Sequence, residues 1–356
     1  VSAPLDIHAL LQPQLPVVTI ITTPSFAVTP GQSVVVNVLG TSFSSVTSLS
    51  LTVNGQAVSL NAQGSATIVA GLPGKMQLVA TATDADGFTG TTSAAVKVRD
   101  PANTTAPIVA FNGGVNEVIS SATAIQGLIS SSNLDSWTLQ ITPQGGQVST
   151  IASGQSAQAG TLYTLDPSAF ANGVYTLTLT AIDLAGREAQ TAATLEIDSA
   201  QKTDSYPRTD TDATVMLDGH AFDLSRQYDS LNAAVNGLLG YGWRMPLLDF
   251  NLQSNIAPVP GQNSNFIPAF SDGTRLYLTL PDGSRVGFTF QPTKQEINGQ
   301  DYYTPTWVSD TGVNWTLQSA GNLLLQKAGS RYYDLGTGTA YNPQQIPPAS
   351  GAAFLL

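Results

Sequence analysis

Residues that could perform acid–base chemistry are few in this chain. Its 356 residues include two histidines and no cysteine. His8 stands in an amino-terminal tail and His220 follows an Asp-Gly turn, and neither has a partner at the spacing that a catalytic triad or a metal site uses. No phosphate loop, G-x-S-x-G elbow or H-E-x-x-H motif is present. The sequence therefore predicts a protein that is not an enzyme and that needs no cofactor.

Paired carboxylates raise the question of a calcium site. Asp84 and Asp86 in "DADG", and Asp210 and Asp212 in "DTD", each place two carboxylates within reach of one cation. Neither pair completes a D-x-D-x-D-G loop with a distal Glu. A second copy of the first motif carries Ala185 where the second carboxylate would stand. We therefore predict that these turns are structural and that no metal is bound.

A cluster of charged and aromatic residues lies in "LSRQYDS" and "LGYGW". Strand alternation places Arg226 and Tyr228 on one face. An arginine on a mostly apolar face needs a carboxylate, a carbonyl or an aromatic plane, and Trp243 is a candidate for that plane. Gly240 and Gly242 would allow a sharp turn or a close approach of another chain segment. We predict that Arg226, Tyr228 and Trp243 form a buried structural lock.

Composition favours strands as the elements that position these residues. Only 10% of the residues are charged, whereas helical surfaces are normally filled with Glu, Lys and Arg. The formal net charge of -11 would repel phosphate backbones and anionic lipid head groups, so nucleic acid is not an expected partner. No apolar run approaches the roughly 18 residues of a membrane span.

Two stretches of similar texture occupy residues 17–99 and 108–198. Each contains short β-branched or alternating runs closed by Gly, Asn or Asp, which is typical of a β-sandwich. The spacing resembles that of bacterial immunoglobulin-like modules, and a long-period self-match indicates tandem copies of one domain. A shift of the sequence by 99 residues aligns Gly74 with Gly173, Leu78 with Leu177, Asp84 with Asp183, Gly87 with Gly186, Val96 with Leu195 and Val98 with Ile197.

A linker follows each of the two modules, and the sequence pattern changes after the second linker. "RDPANTTAPIV" and "DSAQKTDSYPRTDTD" are rich in Pro, Asp, Thr and Asn and are predicted to be linkers. Beyond them, "FIPAF", "TRLYLTL" and "SRVGFTF" are predicted strands joined by Asp272-Gly273 and Asp282-Gly283 hairpins. Further strands, "YYTPTWV", "VNWTLQ", "LLLQK" and "RYYDL", alternate with turns at Asn298-Gly299, near Gly312, at Gly321-Asn322 and near Gly329.

This antiparallel meander carries large aromatic side chains. They could form a stacking strip for sugars or peptides, but in a meander they more often fill the face toward the core, which is the interpretation we favour. The residues concerned are Tyr302, Tyr303, Trp307, Trp315, Tyr332 and Tyr333.

The order of "LSRQYDS", "GLLGYGWRMPLLDFNL" and "LPDGSRVGFTF" resembles the opening segment of Rhs or YD-repeat proteins. The resemblance implies the start of a hollow β-shell that encloses a C-terminal toxin. Tandem Y-D-x-x-G-R repeats and the D-P-x-G-L border motif are missing, so the shell body and any toxin would lie beyond residue 356 in a longer polypeptide, as the apolar end "PPASGAAFLL" suggests. The motif residues are Arg226, Tyr228, Ser230, Leu239, Gly240, Gly242 and Trp243.

The sequence thus predicts an all-β protein: two tandem immunoglobulin-like β-sandwiches followed by an antiparallel β-meander that begins an Rhs-type β-shell. The leading function is a non-enzymatic presenting region of a secreted or bacterial cell-surface protein, whose partners are the downstream shell and toxin segments. The alternative is a surface adhesin whose third domain binds a glycan or a protein. The predicted segments are a tail at 1–16, modules at 17–99 and 108–198, and the Rhs-type β domain at 213–356.

Overall fold

The structure is a computed structural model and confirms the all-β prediction, with antiparallel sheets along the chain. Two short 3-10 helices, Pro167–Ala169 and Ser230–Asn232, interrupt the strands. The residues described are 14–203, 205–237, 239–246, 250–256, 267–280, 284–319, 323–344 and 354–355. His8, the Asp282-Gly283 turn and the Gly321-Asn322 turn lie outside these ranges.

Residues 17–98 form a seven-stranded immunoglobulin-like sandwich. Its strands are β1 (Val17–Thr23), β2 (Ser33–Thr41), β3 (Val46–Val53), β4 (Gln56–Val58), β5 (Ser65–Val69), β6 (Gly74–Asp84) and β7 (Thr89–Val98). One sheet has the order β1-β2-β5 and the other β4-β3-β6-β7. Alternate residues of both sheets point inward and bury an aliphatic core that includes Val36, Leu51 and Leu78.

Residues 108–197 form a second sandwich. Its strands are β8 (Ile108–Gly113), β9 (Val118–Ile119), β10 (Thr123–Ser130), β11 (Leu134–Pro143), β12 (Ser149–Gly154), β13 (Gln158–Leu165), β14 (Gly173–Asp183) and β15 (Glu188–Ile197). The sheets have the orders β13-β10-β8 and β12-β11-β14-β15-β9. Trp137, Leu139, Leu177 and Leu179 are among the buried residues.

The two sandwiches repeat each other in detail. β6 and β14 have eleven residues each, β7 and β15 have ten each, and both ends of each pair are displaced by 99 positions. In both sandwiches a residue that follows the first strand also pairs in parallel with the last strand of that sandwich. Val28 pairs with Val98, and Ile119 pairs with Ile197. The opening strand segment therefore changes sheets in each copy, and the predicted 99-residue period is confirmed at the level of strands.

The turns after β6 and β14 are also equivalent, as the sequence predicts. Asp84 Oδ1 accepts hydrogen bonds from the backbone N–H groups of Asp86 (3.1 Å) and Phe88 (2.9 Å). Asp183 Oδ1 accepts from Ala185 and Arg187, both at 2.9 Å. Each turn carries a glycine at positive φ three residues after the aspartate. The carboxylates therefore accept hydrogen bonds from the backbone N–H groups of their own turns, which is the structural role that the sequence indicates.

The remainder of the chain folds into several small antiparallel sheets. Its strands are β16 (Pro207–Leu217), β17 (His220–Asp229), β18 (Asn236–Gly237), β19 (Gly240–Tyr241), β20 (Trp243–Arg244), β21 (Gln253–Ser254), β22 (Arg275–Thr279), β23 (Arg285–Phe290), β24 (Thr293–Ile297), β25 (Gln300–Thr304), β26 (Trp307–Ser309), β27 (Gln318–Ser319), β28 (Leu325–Ala328), β29 (Arg331–Asp334) and β30 (Phe354–Leu355). The sheet orders are β16-β17-β20, β18-β19, β21-β22-β23-β26, β24-β25-β28-β29 and β27-β30.

Several predicted boundaries in this region differ from the structure. β16 begins at Pro207, so the last six residues of the second predicted linker are strand. The prediction that "FIPAF" is a strand is wrong for residues 267–270, because Phe270 exchanges backbone hydrogen bonds with the distant residues Tyr332 and Tyr341 instead of forming a local hairpin. Residues 313–317 of "VNWTLQ" are also not strand. The Asn298-Gly299 hairpin is confirmed: Ile297 pairs with Gln300 and both turn residues have positive φ.

Most of the aromatic residues of the meander serve its core, as the sequence favours. Tyr332 is fully buried, and Tyr303 and Trp307 pack against the same cluster. Phe270 and Phe290 meet edge to face, with ring centroids 5.8 Å apart, and Tyr332 meets Phe290 at 5.4 Å. Trp315 is different, because 46% of its surface is exposed. Tyr303, Trp307 and Tyr332 therefore belong to the core and not to an exposed stacking strip.

The chain divides into two compact units. Unit 1 consists of residues 1–107, 131–135 and 182–188, and unit 2 consists of 108–130, 136–181 and 189–356. Residues of the second sandwich thus occur in both units. Within unit 2, that sandwich and the later strands share buried polar contacts: Gln253 Oε1 accepts from the backbone N–H of Val174 at 2.9 Å.

Candidate binding cleft

The predicted contacts of Arg226, Tyr228 and Trp243, here called the Arg226 cluster, are present. The Arg226 guanidinium carbon lies 5.1 Å from the centroid of the Trp243 ring, within the range of a cation–π contact. The Tyr228 and Trp243 rings are 5.3 Å apart and tilted by 49°. Strand pairing causes this, because Tyr228 of β17 stands directly opposite Trp243 of β20.

Acidic residues on the neighbouring strand complete the cluster. Asp210 stands opposite Arg226 in the β16–β17 hairpin, and the register shift between Thr211 and Ala213 leaves Asp212 as a bulge residue beside it. The carboxylate oxygens of Asp212 and Asp210 lie 3.4 Å and 3.7 Å from Arg226 nitrogens. The "DTD" carboxylates are thus engaged by arginine, which agrees with a structural role for this pair.

The glycines of "LGYGW" have separate roles. Gly242 has φ 76°, and a Cβ atom there would lie 2.6 Å from Cε2 of Tyr228, so only glycine lets the chain pass this ring. Gly240 has φ 99°, but a Cβ atom there would meet no other segment of the described chain within 4 Å, so its requirement is conformational alone. Leu239 is exposed and takes no part in the cluster. Ser230 Oγ accepts a hydrogen bond from the Tyr206 backbone N–H at 2.8 Å.

Burial of the Arg226 cluster is where the sequence prediction is wrong. The Arg226 side chain is 44% exposed, and Tyr228 and Trp243 are only half-buried. The reason is that β20 has only two residues, so the sheet formed by β16, β17 and β20 ends beside the two rings. The cluster is therefore a stacked group at a surface and not a lock inside a core.

A cleft of about 980 Å³ opens beside this cluster, wholly within unit 2. Tyr228, Gly242 and Trp243 form part of its wall, whereas Arg226 does not. Arg226 therefore contacts the Trp243 indole from outside the cleft wall, and the two aromatic residues line the cleft. The opposite parts of the wall come from the segment after β15 and from β22 and β23.

The rest of the cleft wall contains many side chains that can form hydrogen bonds. Amide side chains contribute both hydrogen-bond donors and acceptors, and they include Asn172, Gln227, Asn232 and Asn251. Four cationic side chains and two carboxylates also line it. The charged residues of the wall are Lys202, Arg208, Arg244, Arg285, Asp198 and Asp229.

Lys202 is held in the cleft wall by its surroundings. Its Nζ donates a hydrogen bond to the Pro167 carbonyl oxygen at 3.0 Å. Burial lowers the pKa of Lys202, while Asp198, Asp229 and Asp166 act in the opposite direction. Its ammonium group is therefore partly desolvated, which strengthens its interaction with any anion that enters the cleft.

Arg285 fixes the inner wall through a fully buried ion pair. Its Nε lies 3.0 Å from Glu196 Oε1, and the side chains are only 1% and 3% exposed. The remaining guanidinium nitrogens donate to Thr279 Oγ1 at 2.7 Å and to Gln253 Oε1 at 2.9 Å. Burial raises the pKa of Glu196 to about 7, against the opposing effect of Arg285. The pair joins β15 of the second sandwich to β23 and so holds the cleft wall in place.

Arg285, Glu196 and the cleft cations are not predicted from the sequence. One signal is available: "TLEI" and "SRVGF" each place a single charge next to apolar residues of a strand. Because Leu195 and Ile197 face the sandwich core, Glu196 must point to the other face and needs a partner there. The identity of that partner depends on contacts between residues 89 positions apart, which no local pattern specifies.

Within the described ranges, no group of three or more His, Asp or Glu side chains is positioned to hold a metal ion. His220 is exposed at the start of β17, after the turn formed by Asp218 and Gly219. Helices long and apolar enough to cross a bilayer are likewise absent from the part of the chain that the structure describes.

Comparison with known proteins gives only distant structural likenesses. No protein-family model and no curated protein sequence matches the chain. Fibronectin(III)-like modules of Clostridium thermocellum CbhA are 18% identical, with 52% of this chain and 95% of that chain covered and a TM-score of 0.25. A tetra-tandem repeat from the extending region of a large adhesion protein is 14% identical, with 88% of each chain covered and a TM-score of 0.27. These TM-scores are too low to define the arrangement or the function of this chain.

Proposed function

We propose that this chain is a non-enzymatic, extracellular binding protein of the adhesin type, whose cleft in unit 2 takes a glycan. The observation that carries the proposal is that two half-buried aromatic residues, Tyr228 and Trp243, line one cleft of about 980 Å³ together with amide and charged side chains. The sandwiches would then act as spacer or contact arms.

The chemistry of the wall favours a saccharide over an apolar ligand. A sugar ring offers C–H groups to an aromatic face and hydroxyl groups to hydrogen-bonding side chains, and Tyr and Trp combine an apolar body with a polar end. Amides such as Asn232 and Gln227 can donate to one hydroxyl and accept from another. A concave, largely pre-formed site also suits a small ligand better than a flat protein surface.

Binding of the intact 356-residue protein to an array of oligosaccharides tests this proposal. We expect at least one class of saccharide to bind and Trp243→Ala to abolish that binding, because a stacking platform is lost. Trp315→Ala is the matched control, since Trp315 is 46% exposed and does not line the cleft. Retention of all binding by Trp243→Ala, or no binding by the unmodified protein, would contradict the proposal.

The Rhs-like motif favours a second function, in which residues 213–356 begin a β-shell that encloses a downstream toxin. The contact of Arg226 with Trp243, and the close passage of Gly242 past Tyr228, give those motif residues a structural purpose in such a shell. Sequencing the gene beyond the codon for residue 356 tests this function. Tandem YD repeats would support it, and a stop codon or a cell-wall anchor there would contradict it.

A further inference from the structure

The charge of the cleft differs in sign from the charge of the chain. The whole sequence has 13 basic and 24 acidic side chains, yet four cations and two carboxylates line the cleft. Asp229, one of those carboxylates, already accepts hydrogen bonds from the Leu231 backbone N–H and from Ser205 Oγ, at 3.0 Å and 3.2 Å. Part of its acceptor capacity is therefore used by the protein itself. Among the cations, Arg285 and Arg208 have carboxylate partners in Glu196 and Asp210, neither of which lines the cleft.

One of the cations stands beside the aromatic platform. Arg208 of β16 is directly opposite Tyr228 of β17, which is itself opposite Trp243 of β20. Adjacent strands lie roughly 4.8 Å apart, so Arg208 is one strand spacing from one ring and two from the other. Arg244 follows Trp243 in β20 and donates from a terminal nitrogen to Gln227 Oε1 at 2.8 Å, so it lies on the other face of the strand. A ring stacked on the platform would thus have the Arg208 guanidinium at its edge, and Arg244 would add charge from farther away.

Arg208 keeps much of its binding capacity toward the cleft. Its Nε donates to Asp210 Oδ1 at 3.0 Å, and the side chain remains 57% exposed. Asp210 is not part of the cleft wall. Among the described residues, the terminal nitrogens of Arg208 have no acceptor, and these are the two parallel donors that suit a carboxylate. Arg285, by contrast, is committed to Glu196, Thr279 and Gln253.

We propose that the cleft selects an acidic saccharide, with the sugar ring stacked on Tyr228 and Trp243 and its carboxylate held by Arg208, with Arg244 and Lys202 adding positive charge. This inference rests on the proposed glycan-binding function and names the chemical class of its ligand. It predicts that the ligand is a uronic-acid or otherwise carboxylated sugar and not a neutral one.

Matched saccharides provide the test: a panel of uronic-acid oligosaccharides and the same oligosaccharides after reduction of their carboxyl groups. Titration calorimetry on the intact protein should give a Kd about ten-fold lower or better for the acidic member of a matched pair, because charge-assisted hydrogen bonds are lost on reduction. Affinity for the acidic member should also fall as salt is added, whereas affinity for the neutral member should not.

Arg208→Gln should weaken binding of the acidic ligand by about ten-fold and binding of the neutral ligand by much less, because it removes the charge that pairs with the carboxylate. Arg208→Lys should restore part of the loss, since it keeps the charge but not the paired donors. Arg331→Gln is the matched control, because Arg331 is exposed in β29 and does not line the cleft. The salt dependence of the affinity of the unmodified protein also tests whether charge contributes to binding of the acidic saccharide, without any substitution.

The outcomes separate this inference from the function on which it rests. Equal or tighter binding of the carboxyl-reduced saccharides would overturn the acidic specificity and leave glycan binding standing. If the affinity for the acidic saccharide changes neither with Arg208→Gln nor with added salt, the assignment of Arg208 is overturned. Failure of every saccharide to bind would overturn the proposed function itself.

Discussion

Arg285 and Arg226 each meet a carboxylate and an aromatic ring, but in opposite surroundings. Arg285 pairs with Glu196 at 1% and 3% exposure and lies 5.8 Å from the Tyr277 ring. Arg226 pairs with Asp212 and stacks on Trp243, with 44% of its side chain exposed. The first arrangement lies in the interior of unit 2, and the second contacts an indole that lines a cleft. Similar contacts therefore stabilise the interior when they are buried, and in the proposed function they support a binding platform when they lie at the end of a sheet.

Breaking the buried pair should have the largest effect. Glu196→Ala leaves the Arg285 charge uncompensated in the interior and should lower the free energy of unfolding of unit 2 by about 3 to 5 kcal/mol at pH 8. All four tryptophans, at positions 137, 243, 307 and 315, belong to unit 2. Urea melts of the intact protein followed by tryptophan fluorescence therefore report on this unit.

Asp301→Ala provides the matched control for this prediction. It removes the partner of Lys294 in a pair whose side chains are 49% and 57% exposed, so the urea midpoint should stay unchanged. Equal shifts for Glu196→Ala and Asp301→Ala would mean that burial does not distinguish the two kinds of pair.

The pH dependence of stability should follow Glu196. Its pKa is about 7 in the folded protein and 4.5 ordinarily, so the folded state retains a proton that the unfolded state has released. Stability should therefore fall as pH rises from about 4.5 to 7 and then level off, with a total loss of about 3 kcal/mol. Glu196→Gln should flatten this slope in urea melts across the same range, and an unchanged slope in the variant would assign the effect to other groups.

The two glycines beside Trp243 should differ in their tolerance of alanine. Both have positive φ, which costs alanine about 1 kcal/mol. Gly242→Ala also places a Cβ 2.6 Å from Tyr228, so its total cost should reach about 2 to 3 kcal/mol, whereas Gly240→Ala should show the conformational cost alone. Urea melts of both variants measure the difference, and equal costs would show that Tyr228 moves away freely.

Trp243→Ala should have only a small effect on stability. A half-buried indole loses only part of the contact surface that a core aromatic would lose, so we expect about 1 kcal/mol. Arg226→Ala should cost less still, because its ion pairs are exposed to solvent. A loss of 3 kcal/mol or more for Trp243→Ala in the same melts would restore the buried lock that the sequence predicts.

Local patterns account for much of this fold. The 99-residue period, the Asp84 and Asp183 turns and the Asn298-Gly299 hairpin follow from alternation and turn chemistry, which act within a few residues. The strand that the sequence predicts at 267–270 fails because Phe270 pairs with segments more than sixty residues away. Long-range pairing of this kind carries no local signal.

The candidate site is predictable in its contacts but not in its setting. The stacking of Arg226 on Trp243 follows from residue types and strand alternation. The exposure of the pair depends on how soon β20 ends, and the charge of the cleft depends on Lys202, Arg208 and Arg244 meeting from separate segments. Neither property can be read from the neighbouring residues.

Fluorine NMR of protein labelled with 5-fluorotryptophan tests most directly whether Trp243 is the platform of a glycan site. The four tryptophans give separate resonances, which single Trp→Phe substitutions assign. On titration with a saccharide that binds, we expect the Trp243 resonance to shift until the site is saturated. The resonances of Trp137, Trp307 and Trp315 should stay in place, because Trp243 is the one of these four tryptophans that lines the cleft. A Trp243 resonance that does not move while the saccharide binds would contradict the role of this indole as the platform.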